Sequence, residues 1–285
     1  MNADNLIKTA LAWAELVRVK HCLFAFLGVF IGASVHSGGL VVGLVVLKTA
    51  VGVLMLVAAG NIFNDYIDCL QDKLYNPKRP LPSGRVSKSD AAMAALLLFL
   101  GSIGLAKNTS DEMFYAIIFS AAVILVYAKY SKSTVLISNL AMSYFSAAVF
   151  LIGVVAVEPD ALFRFSFVWI FAACMGMLTF ARELVEDMHS MEADALEYTN
   201  TLPMKIGSIG VKGLAFVFAG VSVLITTIPF TTDWIIHYGV YGVFIFLADA
   251  VVLFSFTQHP AEGNRTMAVS QVLVIFAFFF GAIYL

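Results

Sequence analysis

The stretch Val53-Leu-Met-Leu-Val-Ala-Ala-Gly-Asn61-Ile-Phe-Asn64-Asp65-Tyr-Ile-Asp68-Cys-Leu-Gln-Asp72 passes from unbroken apolar sequence into a ladder of amides and carboxylates. Upstream, residues 40–52 carry one charge, Lys48. Residues 40–72 therefore read as one long helix, with an apolar part of the ~20 residues that cross a ~30 Å hydrocarbon core and a polar end beyond it. The whole chain agrees with a membrane setting. Of its 285 residues 61% are hydrophobic and 13% charged, whereas soluble domains run at roughly 45–50% and about 25%. With 25 Phe, 10 Tyr and a net charge of −2, the chain is not disordered. The same balance offers no footing for nucleic acid. Cys22, Cys69 and Cys174 all lie in apolar stretches and form neither a disulfide framework nor a zinc motif.

Outward from this stretch, nine apolar spans lie near 19–37, 40–62, 90–106, 112–130, 135–156, 163–181, 208–229, 235–256 and 266–285. The expected fold is all-α: a polytopic membrane protein with nine transmembrane helices, forming one domain over residues 1–285. Ahead of the first span, Leu6, Ala10, Trp13, Ala14 and Val17 make an amphipathic stretch that reads as an interfacial helix rather than part of a cleaved signal peptide. Lys8, Arg18, Lys20, Lys73, Lys78, Arg79, Arg85, Lys88, Lys129, Lys132, Arg182, Lys205, Lys212 and Arg265 fall on one side, 14 of the 17 basic residues. That side is expected to be cytoplasmic, with the N-terminus inside and the C-terminus outside.

Nine of the 19 carboxylates crowd into two stretches, 61–72 and 182–197. The second reads Arg182-Glu183-Leu-Val-Glu186-Asp187-Met-His189-Ser190-Met-Glu192-Ala-Asp194-Ala-Leu-Glu197. Each closes an even-numbered span on the expected cytoplasmic side. Asn64, Asp68 and Asp72 are spaced i, i+4, i+8, so on a helix they form a column along one face, which Asn61 extends by a turn. Asp65 points elsewhere, toward solvent or a basic neighbour. Acids at a helix C-terminus oppose its dipole, and stacked carboxylates repel. A solvated polar helix end explains one such stretch; two favour a functional site. An all-oxygen set suits Mg²⁺ rather than zinc.

The loops after the two stretches match loosely, with Leu81-Pro82-Ser83-Gly84-Arg85 after the first and Leu202-Pro203-Met204-Lys205-Ile206-Gly207 after the second. A four-helix internal repeat follows from this likeness, and it would turn both acid columns toward a central cavity. The bases Lys78, Arg79, Lys129, Lys132, Arg182 and Lys205 supply the complement for a polyanionic, diphosphate-like ligand. Such a ligand at the mouth of a membrane cavity carries an apolar tail, and Phe24, Phe26, Phe30, Phe145, Phe150 and Phe180 are among the aromatic side chains of the spans. Asp249, isolated in the eighth span, is expected to face the bundle interior.

Asn64-Asp65-x-x-Asp68-x-x-x-Asp72, followed by Asn76-Pro77-x-Arg79-Pro80-x-Pro82-Ser83-Gly84, closely resembles the first aspartate-rich motif of the UbiA-type intramembrane prenyltransferase superfamily. The second stretch looks most like its archaeal branch that makes digeranylgeranylglyceryl phosphate, with Ser190 where that branch has Asp and Ala193 where it has Gly. The resemblance implies Mg²⁺-dependent transfer of an isoprenyl group from its diphosphate to a lipid-soluble acceptor. Asn64, Asp68 and Asp72 would hold one Mg²⁺. Asp194, with Asp187 or with Ser190 through water, would hold another. Arg18 and Lys20 resemble the family's basic entry to the first span and join the diphosphate-binding set. Geranylgeranyl diphosphate is the expected donor and geranylgeranylglyceryl phosphate the expected acceptor. Rival readings are prenylation of an aromatic quinone or porphyrin precursor and, from another class, a secondary transporter of a phosphorylated metabolite. Transporters bind near the bilayer midplane, whereas these acids lie at one interface.

Overall fold

A computed structural model describes residues 3–164, 166–196 and 199–283. Ten α-helices follow in order: α1 Ala3–Val17, α2 Val19–Ser37, α3 Leu44–Tyr75, α4 Lys88–Lys107, α5 Asp111–Tyr130, α6 Ile137–Val157, α7 Phe167–Leu196, α8 Leu202–Thr227, α9 Tyr238–Ser255 and α10 Pro260–Ala282. Among the described residues, α2 to α10 supply nine helices long and apolar enough to cross a membrane. Ser87 and Ser110 start α4 and α5 as N-caps, their hydroxyls accepting from the backbone N–H of Asp90 and Met113.

Two helices exceed what a bilayer needs. α3 has 32 residues and α7 has 30, or ~48 and ~45 Å at ~1.5 Å per residue. The polar ends thus continue the spans as helix. In α7 the continuation is longer than the expected boundary at 181, because Leu184 and Val185 stay buried and carry packing past Arg182. α8 starts earlier than the expected 208 but breaks at Gly207, whose φ of 74° is a conformation glycine adopts without Cβ strain. Gly84, in the loop after α3, has the same φ of 74°.

α2 and α6 pack against each other at the centre, flanked by α3 and α7, with α10 closing on α2 and α7. Phe150 and Phe171 meet in a tilted pair at a centroid distance of 4.3 Å and Phe171 and Phe278 stack at 4.7 Å, which ties α6, α7 and α10 into one core. α4, α8 and α9 lie outside and expose Leu97, Leu100, Phe216, Leu224 and Phe246 as a lipid-facing apolar surface would. α1 lies against α3. Ala12 and Leu16 are buried with Ile62, Cys69, Leu81 and Val86, while Leu6, Ile7 and Leu11 stay exposed. The buried face of α1 therefore centres on Leu16, and Leu6 and Ala10 of the expected apolar face are outside it.

Among the described residues, two non-glycine residues have positive φ, Arg18 at 56° and Leu136 at 70°. They are the N-cap residues of α2 and α6 respectively, so both central helices start from a left-handed residue. Such a conformation costs roughly 1–2 kcal/mol outside glycine.

Candidate active site

The polar end of α3 is a set of carboxylates, each with its own base. Arg18 Nη2 lies 2.8 Å from Asp65 Oδ1. Lys132 Nζ lies 3.1 Å from Asp68 Oδ1, and it donates to Gln71 Oε1 at 3.2 Å. Arg79 Nη1 lies 2.8 Å from Asp72 Oδ2 and 4.0 Å from Asp65 Oδ1. Asn64 Nδ2 donates to Asp68 Oδ2 at 3.3 Å, keeping those two on one helical face. Asp72 is 1% exposed and also accepts from Asn76 Nδ2. Asp65 is buried and finds bases rather than solvent. Asn61 leaves the column: its Nδ2 donates to the Val17 carbonyl at 2.8 Å and pins the junction of α1 and α2.

The basic loop after α3 folds back because Leu81 and Val86 are buried beneath α1, and this aims Arg79 at Asp72. Burial disfavours the charge on Arg79, but Asp72, then Asp65 and Asp68, outweigh it and hold the guanidinium above its ordinary pKa. Arg85 is spent on structure, paired with Glu15 at 2.7 Å and donating to the Lys78 carbonyl. Arg18, His21, Asp65 and Arg79 line a pocket of about 320 Å³ with Glu15 and Pro80.

Neutral donors organise the end of α7. Asn139 of α6 donates to Asp187 Oδ2 at 2.8 Å. Asn264 of α10 donates to Glu186 Oε2. Ser190 donates to Asp194 Oδ2 at 2.6 Å. Arg182 reaches Glu183 at 3.1 Å, and its Nε is buried without a partner. Glu197 lies outside the described residues.

The two ends meet. The Tyr75 hydroxyl donates to the Leu196 carbonyl at 2.9 Å, joining the tail of α3 to that of α7. Tyr127 of α5 lies within electrostatic reach of Arg18, Glu183, Asp68 and Asp65, and His21 within reach of Arg18 and Arg182. Of the expected diphosphate-binding bases, Arg18, Arg79, Lys132 and Arg182 are brought to the acids. Lys20, Lys78, Lys129 and Lys205 are exposed and make no ion pair among the described residues; Lys129 sits over the Tyr130 ring. His21, Tyr127, Asn139 and Asn264 are additions that sequence reasoning passed over. Only Asn139 carried a signal, an amide in the first turn of an apolar span.

Among the described residues no three His, Cys, Asp or Glu side chains form a preassembled metal cluster. The donor chemistry nonetheless fits a hard dication, since the expected ligand residues offer amide, carboxylate and hydroxyl oxygens. The Lys132 ammonium, seated between Asp68 and Gln71, shows that this face of α3 accepts a cation.

Asp249 accepts from Thr226 Oγ1 at 3.3 Å, so the eighth span's acid has a partner on α8, apart from both acid stretches.

Residues 25–280 match the UbiA prenyltransferase family. The digeranylgeranylglyceryl phosphate synthase of Methanopyrus kandleri is 30% identical, the match covering 94% of this chain and 97% of that protein. The synthase of the same name from Methanosarcina mazei is 28% identical, over 94% and 97%. A solved structure described as "Structural and mechanistic insights into the biosynthesis of Digeranylgeranylglyceryl phosphate synthase in membranes" superposes with a TM-score of 0.80 at 26% identity, covering 97% of this chain and 99% of that one. A UbiA homologue from Archaeoglobus fulgidus, solved with DMAPP and Mg²⁺, shares the fold with a TM-score of 0.73 at 14% identity, over 95% and 98%. On the match over residues 25–280 the chain, with its nine apolar helices among the described residues, belongs to the UbiA prenyltransferase family.

Proposed function

We propose that this chain transfers a geranylgeranyl group from its diphosphate to geranylgeranylglyceryl phosphate, a step of ether-lipid synthesis, at the membrane surface. The observation that carries the reading is that the two acid-bearing helix ends lie together, the Tyr75 hydroxyl of α3 donating to the Leu196 carbonyl of α7 at 2.9 Å. The names of the relatives supply the substrates, and the diphosphate and Mg²⁺ of the Archaeoglobus structure supply the donor class and the ion. Both substrates are lipids and reach the site from the bilayer. One domain over residues 1–285 does the work. It has a central cavity and a four-helix repeat, the latter supported by the shared left-handed starts of α2 and α6, the over-long α3 and α7, and the matching glycines 84 and 207. The acid end and the N-terminus face the cytoplasm and the C-terminus lies outside, an orientation supported by the placement of 14 of 17 basic residues.

Asn64, Asp68 and Asp72 on α3, and Asp194 on α7 with Asp187 or with Ser190 through water, would hold Mg²⁺. Bound there, the ion neutralises charge on the departing diphosphate. Arg18, Arg79, Lys132 and Arg182 hold phosphate oxygens and stabilise the same charge; Lys20, Lys78, Lys129 and Lys205 act at longer range in drawing the anion in. As the bond from the allylic carbon to the diphosphate oxygen breaks, the acceptor hydroxyl forms the new C–O bond and loses its proton. The enclosing helices keep water from taking the hydroxyl's place.

Purified protein in liposomes, given geranylgeranyl diphosphate with geranylgeranylglyceryl phosphate or with an aromatic acceptor, tests this by mass spectrometry. A diether product that disappears in Asp68→Ala is expected. Prenylated aromatic product alone, or phosphometabolite flux without diphosphate release, overturns it.

A further inference from the structure

The two acid stretches balance their charge differently. On α3, Asp65, Asp68 and Asp72 carry Arg18, Lys132 and Arg79. On α7, among the described residues, Asp187, Glu186 and Asp194 accept from the neutral Asn139, Asn264 and Ser190. Among the described residues the base of α7, Arg182, pairs with Glu183, so a cation approaching Asp187 or Asp194 has no paired base to displace. On α3 it meets one at every aspartate.

The three α3 pairs are not equally fixed. Arg79 spans Asp72 and Asp65, and Asp72 is almost fully enclosed, with 2% of its side chain exposed. Arg18 is set by the backbone turn between α1 and α2. Lys132 differs. It stands in the turn between α5 and α6, its side chain is 31% exposed and that of Asp68 is 13% exposed. It also borders a pocket of about 580 Å³ walled by Leu70, Gln71, Leu74, Tyr75, Ser133 and Asn200. A flexible four-carbon stem with space beside it changes partner by rotamer alone.

Resting on the diphosphate reading above, we propose that Lys132 is an exchangeable counter-ion that makes cation binding at α3 depend on diphosphate. In the structure its ammonium occupies Asp68. When a diphosphate oxygen draws the ammonium away, Asp68 is released to a divalent cation. When a cation takes Asp68, the ammonium is released to the diphosphate. Each ligand removes the obstacle to the other, and linkage makes the coupling equal in both directions. The α7 stretch, held by amides and a hydroxyl, lacks this dependence.

The test uses the full chain in detergent, with Mn²⁺ as the cation and inorganic pyrophosphate as the anion. Equilibrium dialysis at matched free Mn²⁺ reads the metal retained by the protein. In the wild type, pyrophosphate is expected to tighten the Asp68-dependent Mn²⁺ site at least tenfold. Lys132→Gln is expected to bind Mn²⁺ alone at least fivefold more tightly than the wild type, with a smaller gain from pyrophosphate. Adding Asp68→Asn to that variant removes the gained site. Unchanged helicity and a monodisperse elution profile establish that the variants fold. Wild-type Mn²⁺ affinity indifferent to pyrophosphate, or Lys132→Gln binding no tighter than the wild type, overturns the exchange. If the wild type still makes product in that case, the proposed function stands and the exchange alone is lost. Absence of Mn²⁺ binding in every condition sinks both.

Discussion

Gly32 on α2 and Gly153 on α6 bring the two central helices into backbone-to-backbone contact. A Cβ on Gly32 would lie 2.1 Å from the Phe150 carbonyl oxygen, and one on Gly153 would lie 2.2 Å from that of Val29. Neither obstacle is a movable side chain. Small residues at such crossings let membrane helices approach closely enough for dispersion to hold them. Gly32→Ala and Gly153→Ala are each expected to destabilise the protein by about 3 kcal/mol, the upper end of ordinary overpacking. Gly176→Ala, whose Cβ would find nothing nearer than 3.5 Å, is the control and should be tolerated. Thermal unfolding in detergent reads all three, and equal stability of Gly32→Ala and Gly176→Ala would contradict the packing described.

Arg18→Leu leaves Asp65 buried with Arg79 at 4.0 Å as its remaining base. Breaking a buried pair from one side costs about 3–5 kcal/mol; the second base and the part-exposed Arg18 bring the expected loss to about 2 kcal/mol. Adding Asp65→Asn should restore much of it, since the uncompensated charge is gone. Unfolding midpoints of the two single variants and the double variant decide whether the residues act as a pair.

Asn139→Ala removes the amide that holds Asp187. Groups that orient metal-binding side chains are worth roughly 10–100-fold in affinity or activity. The expected outcome is at least a tenfold higher Mg²⁺ requirement for prenyl transfer with an unchanged helix content. An unaltered Mg²⁺ dependence would show that Asp187 needs no such support.

At the opposite end of the bundle, His36 Nε2 lies 2.9 Å from Glu158 Oε2, and Arg164 lies 2.5 Å from the other oxygen. The hydrogen bond from His36, then the charge of Arg164, hold Glu158 below its ordinary carboxylate pKa of 4.5. A depressed carboxylate pKa contributes stability above 4.5 that is lost as pH falls through the folded value. Glu158→Gln should therefore lower the unfolding temperature slightly at pH 7 and leave it unchanged once Glu158 is protonated in both states. A constant difference across an acid titration would remove the ion pair as its cause.

Local rules made much of this protein readable. Hydropathy marks each span because bilayer thickness acts on every helix separately, and the observed helices match the nine expected spans, most closely at Val19–Ser37. Period-3.6 geometry put Asn64 and Asp68 on one face, as their hydrogen bond shows. The same rule placed Asn61 on that column, where it failed, because the Val17 carbonyl from another helix competes for its amide. It was silent on Asn264 and Tyr127, whose partners lie 78 residues away in the first case and on several helices in the second.

Sequence by itself determined a nine-span membrane bundle with two acid-tipped helices, since apolar length and residue spacing are properties of a single helix. Tertiary structure alone decided which base answers which acid. It sent Lys132 to Asp68, Arg79 to Asp72 and Asn139 to Asp187, and left Lys20, Lys78, Lys129 and Lys205 at the surface. A charge's partner is set by how close helices distant in sequence are packed, and that closeness is fixed by contacts such as Gly32 against Phe150.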